Sequence, residues 1–257
     1  MVDADKANLN TLCISPVRVF PHMTGVVVFG GTFDPPHEAH LDLPLRACES
    51  LFGGNGMVLY VPAAVSPFKI GNADQTPSHH RVRMLELGIE QMIGEKARVA
   101  IWDDEIERAE DAQSSSPSYM VDTLRRLRIQ IGDDVSVRLL LGADQAASFH
   151  RWREYEDIIN IAEPAVMLRE PVTSVNALID AMRSSGAWLD EQLLVWQSRV
   201  VPLPIEPASS TDVRETIAML WQQYPSLTID ILHEHVTTVP TEVLAYIIEH
   251  GLYRAAG

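Results

Sequence analysis

His37 and His40 stand three residues apart in the stretch Gly30-Gly31-Thr32-Phe33-Asp34-Pro35-Pro36-His37-Glu38-Ala39-His40. Side chains three positions apart share one face of a helical turn. The two glycines ahead of them let a main chain approach a ligand closely. The two prolines suit the start of a helix, where a missing N–H costs little. Two imidazoles and the first N–H groups of a helix therefore converge on one point, which suits phosphate. A His-x-x-His spacing also raises zinc, which needs three or four ligands. No cysteine or third histidine stands at ligand spacing nearby, so no metal site is expected here.

Other residues could serve the same chemistry. Ser209-Ser210-Thr211, ahead of Val213, Ile217 and Leu220, is a helix start with hydroxyl caps, and Arg214 follows one turn on. Gly142-Ala143-Asp144 follows an apolar run, so Asp144 is either a helix cap or a ligand acceptor. His79-His80, His233-Glu234-His235 and the acidic run Asp103-Asp104-Glu105 read as solvated helix or loop-edge residues without a function.

The elements that must position these residues alternate. Strand-like runs lie at 26–29, 57–61, 98–101, 135–141 and 165–168, with helical spacing over 37–51, 79–93, 117–131 and 150–161. Such alternation implies parallel strands joined by right-handed crossovers. In a sheet of order 3-2-1-4-5 the first and fourth strands are neighbours. The segments following them, His-x-x-His and Gly142-Ala143-Asp144, would then flank one crevice at the carboxyl ends of the strands. Residues 62–77 and 103–117 read as loops, and 170–190 as an insertion with one helix separating the fifth strand from 195–201. From Ser210 the chain reads as helical to its end, broken near Pro225 and Pro240.

A chain of 257 residues buries one sizeable core. Twenty basic residues against 35 acidic ones give a net charge of −15. That argues against a nucleic-acid surface, which needs a basic patch. A polyanionic ligand would need local compensation: His37, His40, Lys69 and Arg214 would have to converge, helped by helix-terminal N–H groups. No run reaches the ~18 apolar residues of a membrane span. Cys13 and Cys48 show no disulfide or metal pattern, which fits a reducing cytoplasm. Residues 1–24 read as an N-terminal extension, either disordered or placed there by a start assigned upstream of Met23.

The first motif resembles the signature of the nucleotidyltransferase superfamily that carries H-x-x-H. The order of the remaining segments is similar to that of the bacterial nicotinate-mononucleotide adenylyltransferases. Those segments are Pro67-Phe68-Lys69 with Arg81, Ser118-Tyr119-Met120 with Thr123-Leu124, Gly142-Ala143-Asp144 with Phe149 and Trp152, Ser209-Ser210-Thr211 with Arg214, and a final Gly251-Leu252-Tyr253. The likeness runs from about residue 25 to 254. It implies a Rossmann-like α/β domain over 25–205 and a C-terminal helical segment over 206–257 that completes an ATP site. It implies adenylyl transfer from ATP, with magnesium carried on the nucleotide, to nicotinate mononucleotide, giving deamido-NAD and pyrophosphate.

On this resemblance His37, His40 and Arg214 are catalytic. His40 touches the α-phosphate, its charge favoured by the anion, and Arg214 neutralises the leaving pyrophosphate. Gly30, Gly31, Thr32, Phe33, Gly142, Asp144, Ser209, Ser210 and Thr211 bind ATP. Lys69, Tyr119 and Trp152 bind the mononucleotide, although Lys69 reads nearly as well as an idle surface lysine and Trp152 equally as a core aromatic. The chain departs from the family at Met120, at Ser66-Pro67-Phe68-Lys69 and at Ala208. The first two fall in the mononucleotide pocket, which leaves nicotinamide mononucleotide or another phosphate acceptor open. A shorter pantetheine-phosphate adenylyltransferase would lack the Ser-Tyr and Gly-Leu-Tyr segments. A nucleotide-binding regulator would not need all of His37, His40 and Arg214. A homo-oligomer is compatible with the sequence.

Overall fold

A computed structural model describes residues 17, 19–64, 75–94, 98–111, 118–224 and 226–254. Five parallel strands form one sheet: β1 (Gly25–Gly31), β2 (Gly56–Pro62), β3 (Val99–Ile101), β4 (Ser136–Gly142) and β5 (Glu163–Met167), in the order β3-β2-β1-β4-β5. This is the doubly wound order expected from the alternating pattern. The strands are apolar except near the starts of β4 and β5, at Ser136, Arg138 and Glu163, because helices cover both faces. Val26 and Val28 enter one core with α4 (Met120–Ile131), α5 (Ala143–Ala147), α6 (Tyr155–Ile161), α7 (Val175–Ser184) and α8 (Asp190–Ser198). Val27 and Phe29 enter the other core with α1 (Glu38–Phe52) and α2 (Ser78–Met92).

The register explains where a site can form. β1 pairs with β2 as far as Gly31↔Pro62, but with β4 only as far as Val28↔Leu139. Beyond Val28 the two central strands part, and the gap lies between Gly30-Gly31 on one side and Gly142 on the other. Ligands of such sheets bind at this switch point.

A third core joins α9 (Ser210–Gln223), α10 (Ile229–His235) and α11 (Thr241–Glu249) around Ile217, Leu220, Leu232 and Ile247, and Met84 of α2 is part of it. Beyond α11, Gly251 at a φ of 60° closes the turn, and Leu252 N–H donates to Ile247 C=O at 3.0 Å. Among the described residues no helix is long and apolar enough to cross a membrane.

Several expectations need correction. Residues 103–117 are not simply a loop: Asp104–Asp111 form α3, with Asp104 and Glu105 buried rather than solvated. Asp104 takes Arg108 at 2.8 Å and Arg126 at 2.6 Å, and Thr123 Oγ1 donates to Glu105 at 2.8 Å. The acids are buried because α4 supplies their partners. The helix expected over 150–161 is a 3-10 turn at Phe149–Arg151 followed by α6. The insertion 170–190 holds its one expected helix, α7, but the stretch 195–201 first continues a second helix, α8, to Ser198 before Val200 bridges Val166 of β5. Of the expected extension 1–24, Val17 and Met23 are buried members of the same core as Val26 and Val137. Residues 1–16, Pro225 and most of the loop 62–77 lie outside the described residues.

Leu41 on α1 is fully buried between the sheet and Gly88 of α2. Leu41→Ala is expected to cost about 3 kcal/mol of unfolding free energy, measured by denaturant titration.

Candidate active site

β1 ends at Gly31, and the chain turns through 32–36 before α1 begins. Phe33 sits in the left-handed region at φ 51°, fully buried, with its ring edge-on to His40 at 5.4 Å. A side chain on Gly31 would strike that ring at 2.9 Å, so the glycine is required by the close approach of Phe33. His37 caps α1, and His40 is its third residue. Each histidine's main-chain N–H donates to the other's Nδ1 at 3.4 Å, and the rings stack at 3.6 Å. Because both Nδ1 atoms accept, the proton of each ring belongs on Nε2, at the edge away from the cap. The reciprocal cap therefore sets two N–H donors side by side.

Burial, then the positive charge of Arg169, pushes His37 down from its ordinary 6.5 to about 4. These groups act in the opposite direction to the rise expected beside phosphate. The donor at neutral pH is the neutral imidazole's Nε2–H, not an imidazolium. The N–H groups at the start of α1 are also largely engaged: Glu38 N–H donates to Thr238 C=O at 2.8 Å and His40 N–H to His37 C=O at 2.9 Å. The imidazoles, more than that helix end, are what this turn offers an anion.

Three arginines hold or face the turn. Arg81 of α2 is 1% exposed and donates to Thr32 C=O and Ala63 C=O at 2.8 Å and to Thr76 C=O at 3.0 Å. Arg214 of α9 donates to Asp34 C=O at 2.6 Å, to Ser210 C=O at 3.3 Å and to Thr211 Oγ1 at 3.3 Å. Arg169, just beyond β5, grips Asp144 with two bonds of 2.6 and 2.9 Å. Gly142 has no side chain because a Cβ there would lie 2.3 Å from the Arg169 Nε.

The structure thus brings His37, His40, Phe33, Thr32, Gly30, Gly31 and Arg214 to one turn. Ser210 joins them through its hydroxyl, which donates to Pro35 C=O at 2.9 Å. Ser209 is the cap of α9, accepting from Asp212 N–H at 3.3 Å. Asp144 does not cap α5; its carboxylate positions Arg169. Trp152 packs on Phe149 at 5.1 Å as a partly buried member of the core, and Tyr119 lies under the Arg153 guanidinium at 4.7 Å. Met120 reaches the site side, since a Cβ on Gly30 would meet its methyl at 2.7 Å. Lys69 lies outside the described residues. His233 and His235 are exposed, as expected, but His80 is not merely solvated: its Nδ1 shares a 2.9 Å hydrogen bond with the Tyr246 hydroxyl, and its ring lies 5.1 Å from that of His250. The helix α11 brings those partners, some 170 residues on in the chain. Arg169, and the bonding of Arg81, were missed. Only the adjacency of β4 and β5 signals Arg169.

The fold and this site define a nucleotidyltransferase, and a family model described as cytidylyltransferase-like matches residues 28–216. A probable nicotinate-nucleotide adenylyltransferase of Pectobacterium atrosepticum is 30% identical over 236 residues, spanning 88% of this chain and 97% of its own. Its counterpart in Chlorobium phaeobacteroides is 31% identical over 233 residues, spanning 89% and 98%. The solved Plasmodium falciparum nicotinic acid mononucleotide adenylyltransferase complexed with NaAD shares the fold, with a TM-score of 0.57 at 17% identity, covering 90% of this chain and 97% of its own. The chain belongs to the cytidylyltransferase-like family and, within it, to the nicotinate-nucleotide adenylyltransferases.

The depressed His37 predicts a pH effect on stability. Above 6.5 the residue is neutral folded and unfolded, and contributes no slope. Between 6.5 and about 4 the unfolded chain takes up a proton that the folded chain refuses, so stability falls as pH falls. The expected loss at pH 5 is about 2 kcal/mol. In denaturant titrations at pH 7 and 5, His37→Asn, which keeps a capping side chain, should lose most of this difference.

Proposed function

We propose that the protein transfers the adenylyl group of ATP to the phosphate of nicotinate mononucleotide, forming deamido-NAD and releasing pyrophosphate. A phosphate oxygen of the mononucleotide attacks the α-phosphorus, a new P–O bond forms, and the bond to the β-phosphate oxygen breaks. The nucleophile is already anionic, so no general base is required. What remains is to align two polyanions and to stabilise charge on the phosphorus.

The observation that carries this reading is the stacked His37–His40 pair at the switch point, each ring with its donor on Nε2, on the same turn that Arg214 and Ser210 grip. His40 would donate to the α-phosphate oxygens and His37 to their neighbours. Arg214, with Ser210 and Thr211 at the start of α9, would face the pyrophosphate. Asp144 keeps spare lone pairs while holding Arg169 and can still accept from the ATP ribose. Magnesium would arrive on ATP: among the described residues no group of three or more His, Cys, Asp or Glu could hold a metal ion. Tyr119, Trp152 and Lys69 would line the mononucleotide side.

Pyrophosphate release with ATP and magnesium, run in parallel with nicotinate and nicotinamide mononucleotide, tests the reading. Preference for the nicotinate form is expected. Preference for the amide would mean that Met120 beside Gly30 has altered the acceptor. ATP binding without release would mark a regulator. His40→Ala should lower kcat by about 10²–10³ with its thermal midpoint preserved, and near-normal turnover would remove His40 from the site.

A further inference from the structure

The chain's last described residues return to the catalytic turn. Tyr253 lies just beyond α11 in the left-handed region, at φ 60°. A bulky side chain pays conformational strain there unless its surroundings fix it. Here they do. Its hydroxyl donates to Asp34 Oδ1 at 2.7 Å, across 219 residues of sequence, and lies 3.9 Å from the sulfur of Met84. The neighbouring backbone is anchored too, since Trp221 Nε1 donates to Leu252 C=O at 3.0 Å.

Asp34 is a buried carboxylate, 4% exposed, in the centre of the turn. Its Oδ2 accepts Thr76 N–H at 3.3 Å, and its main-chain carbonyl accepts Arg214 at 2.6 Å. The residue before it, Phe33, holds its ring against His40, and the residue after it, Pro35, receives the Ser210 hydroxyl. A rotation of Asp34 would therefore disturb the histidine and the arginine together. Thr76 N–H holds Oδ2, the phenol holds Oδ1, and the Thr76 side chain in turn hydrogen-bonds the phenol.

We propose that Tyr253 is a positioning residue for adenylyl transfer, its hydroxyl locking Asp34 so that the 32–35 turn aligns His40 with Arg214. The kinetic part of this inference rests on the adenylyl-transfer reading; the lock on the turn does not. The proposal gives Tyr253 no substrate to hold, only Asp34, so it should act on alignment and not on affinity.

The test is Tyr253→Phe, which keeps the ring and its packing and removes only the hydroxyl, with its bonds to Asp34 and to the Thr76 side chain. The expected result is a kcat about tenfold lower, the size of a lost hydrogen bond to a buried carboxylate, with KM for ATP and mononucleotide within about twofold. Amide hydrogen exchange in residues 32–40 should quicken, while the thermal midpoint stays within a few degrees. Asp34→Ala, which removes the acceptor altogether, should lower kcat at least as far, and adding Tyr253→Phe to it should cost little more, because the bond is already gone. A kcat within twofold of the parent, or a loss that appears in KM alone, overturns the positioning role, even if exchange quickens. If the parent releases no pyrophosphate with either mononucleotide, the functional reading fails. Exchange over 32–40 in Tyr253→Phe then still decides the lock: quickened exchange sustains it, and unchanged exchange overturns it.

Discussion

Beyond Gly31 the sheet no longer supplies hydrogen-bond partners, yet the chain must stay buried through residues 33–37. Buried carbonyls without partners are costly, so their pairing decides the shape of everything downstream. Arg81 meets the carbonyl of Thr32, Arg214 that of Asp34, and Ser210 that of Pro35. None of these donors belongs to the turn or to β1. The geometry of His37 and His40 is thus inherited from side chains on α2 and α9. The same Arg81 also ties Ala63 and Thr76, so the ends of β2 and the start of α2 are fixed to the turn by one guanidinium. A lysine could not span three carbonyls in that planar fork.

On the proposed function, this pairing would also reconcile a −15 chain with polyanionic ligands. Net charge acts at long range and is screened within about 10 Å at ordinary salt, whereas Arg169 and Arg214 act at contact distance. The histidines contribute differently. Burial makes a charged His37 unfavourable, and the reciprocal cap leaves each imidazole a directed N–H. A neutral donor aimed at a site where charge develops costs no reorganisation during the reaction. Arg169 and Arg214 are cationic groups already oriented, the first by Asp144 and the second by the turn itself.

The sheet order was legible because each strand is a short apolar run separated by helical spacing, and few topologies satisfy that alternation. The His-x-x-His turn and the α9 start were legible for the same reason: their residues are contiguous. What stayed hidden depends on partners far apart in sequence. Asp104 and Glu105 look solvated until Arg126 and Thr123 arrive from α4. His80 looks exposed until α11 brings Tyr246 and His250 against it. Arg169 carries no local pattern; only the gap between β1 and β4, with Gly142 cleared of a side chain, makes room for it. The N–H groups of α1 looked available because sequence does not show Thr238 folding back onto Glu38.

The same long-range pairing bears on how separate the C-terminal helices are. Sequence divides the chain near residue 205, and the third core looks like a small domain of its own. Yet that core includes Met84 of α2, one turn beyond Arg81, and Pro240 approaches Gly88 of the same helix. The helix α2 thus sends Arg81 into the turn beyond β1 and Met84 into the C-terminal core. Removing either neighbour would strand a buried group on α2: a guanidinium whose carbonyls have moved, or a thioether without apolar contacts. Burying a charge is tolerable only while its hydrogen bonds persist. The turn that carries the histidines and the C-terminal core are therefore tied together through a single helix.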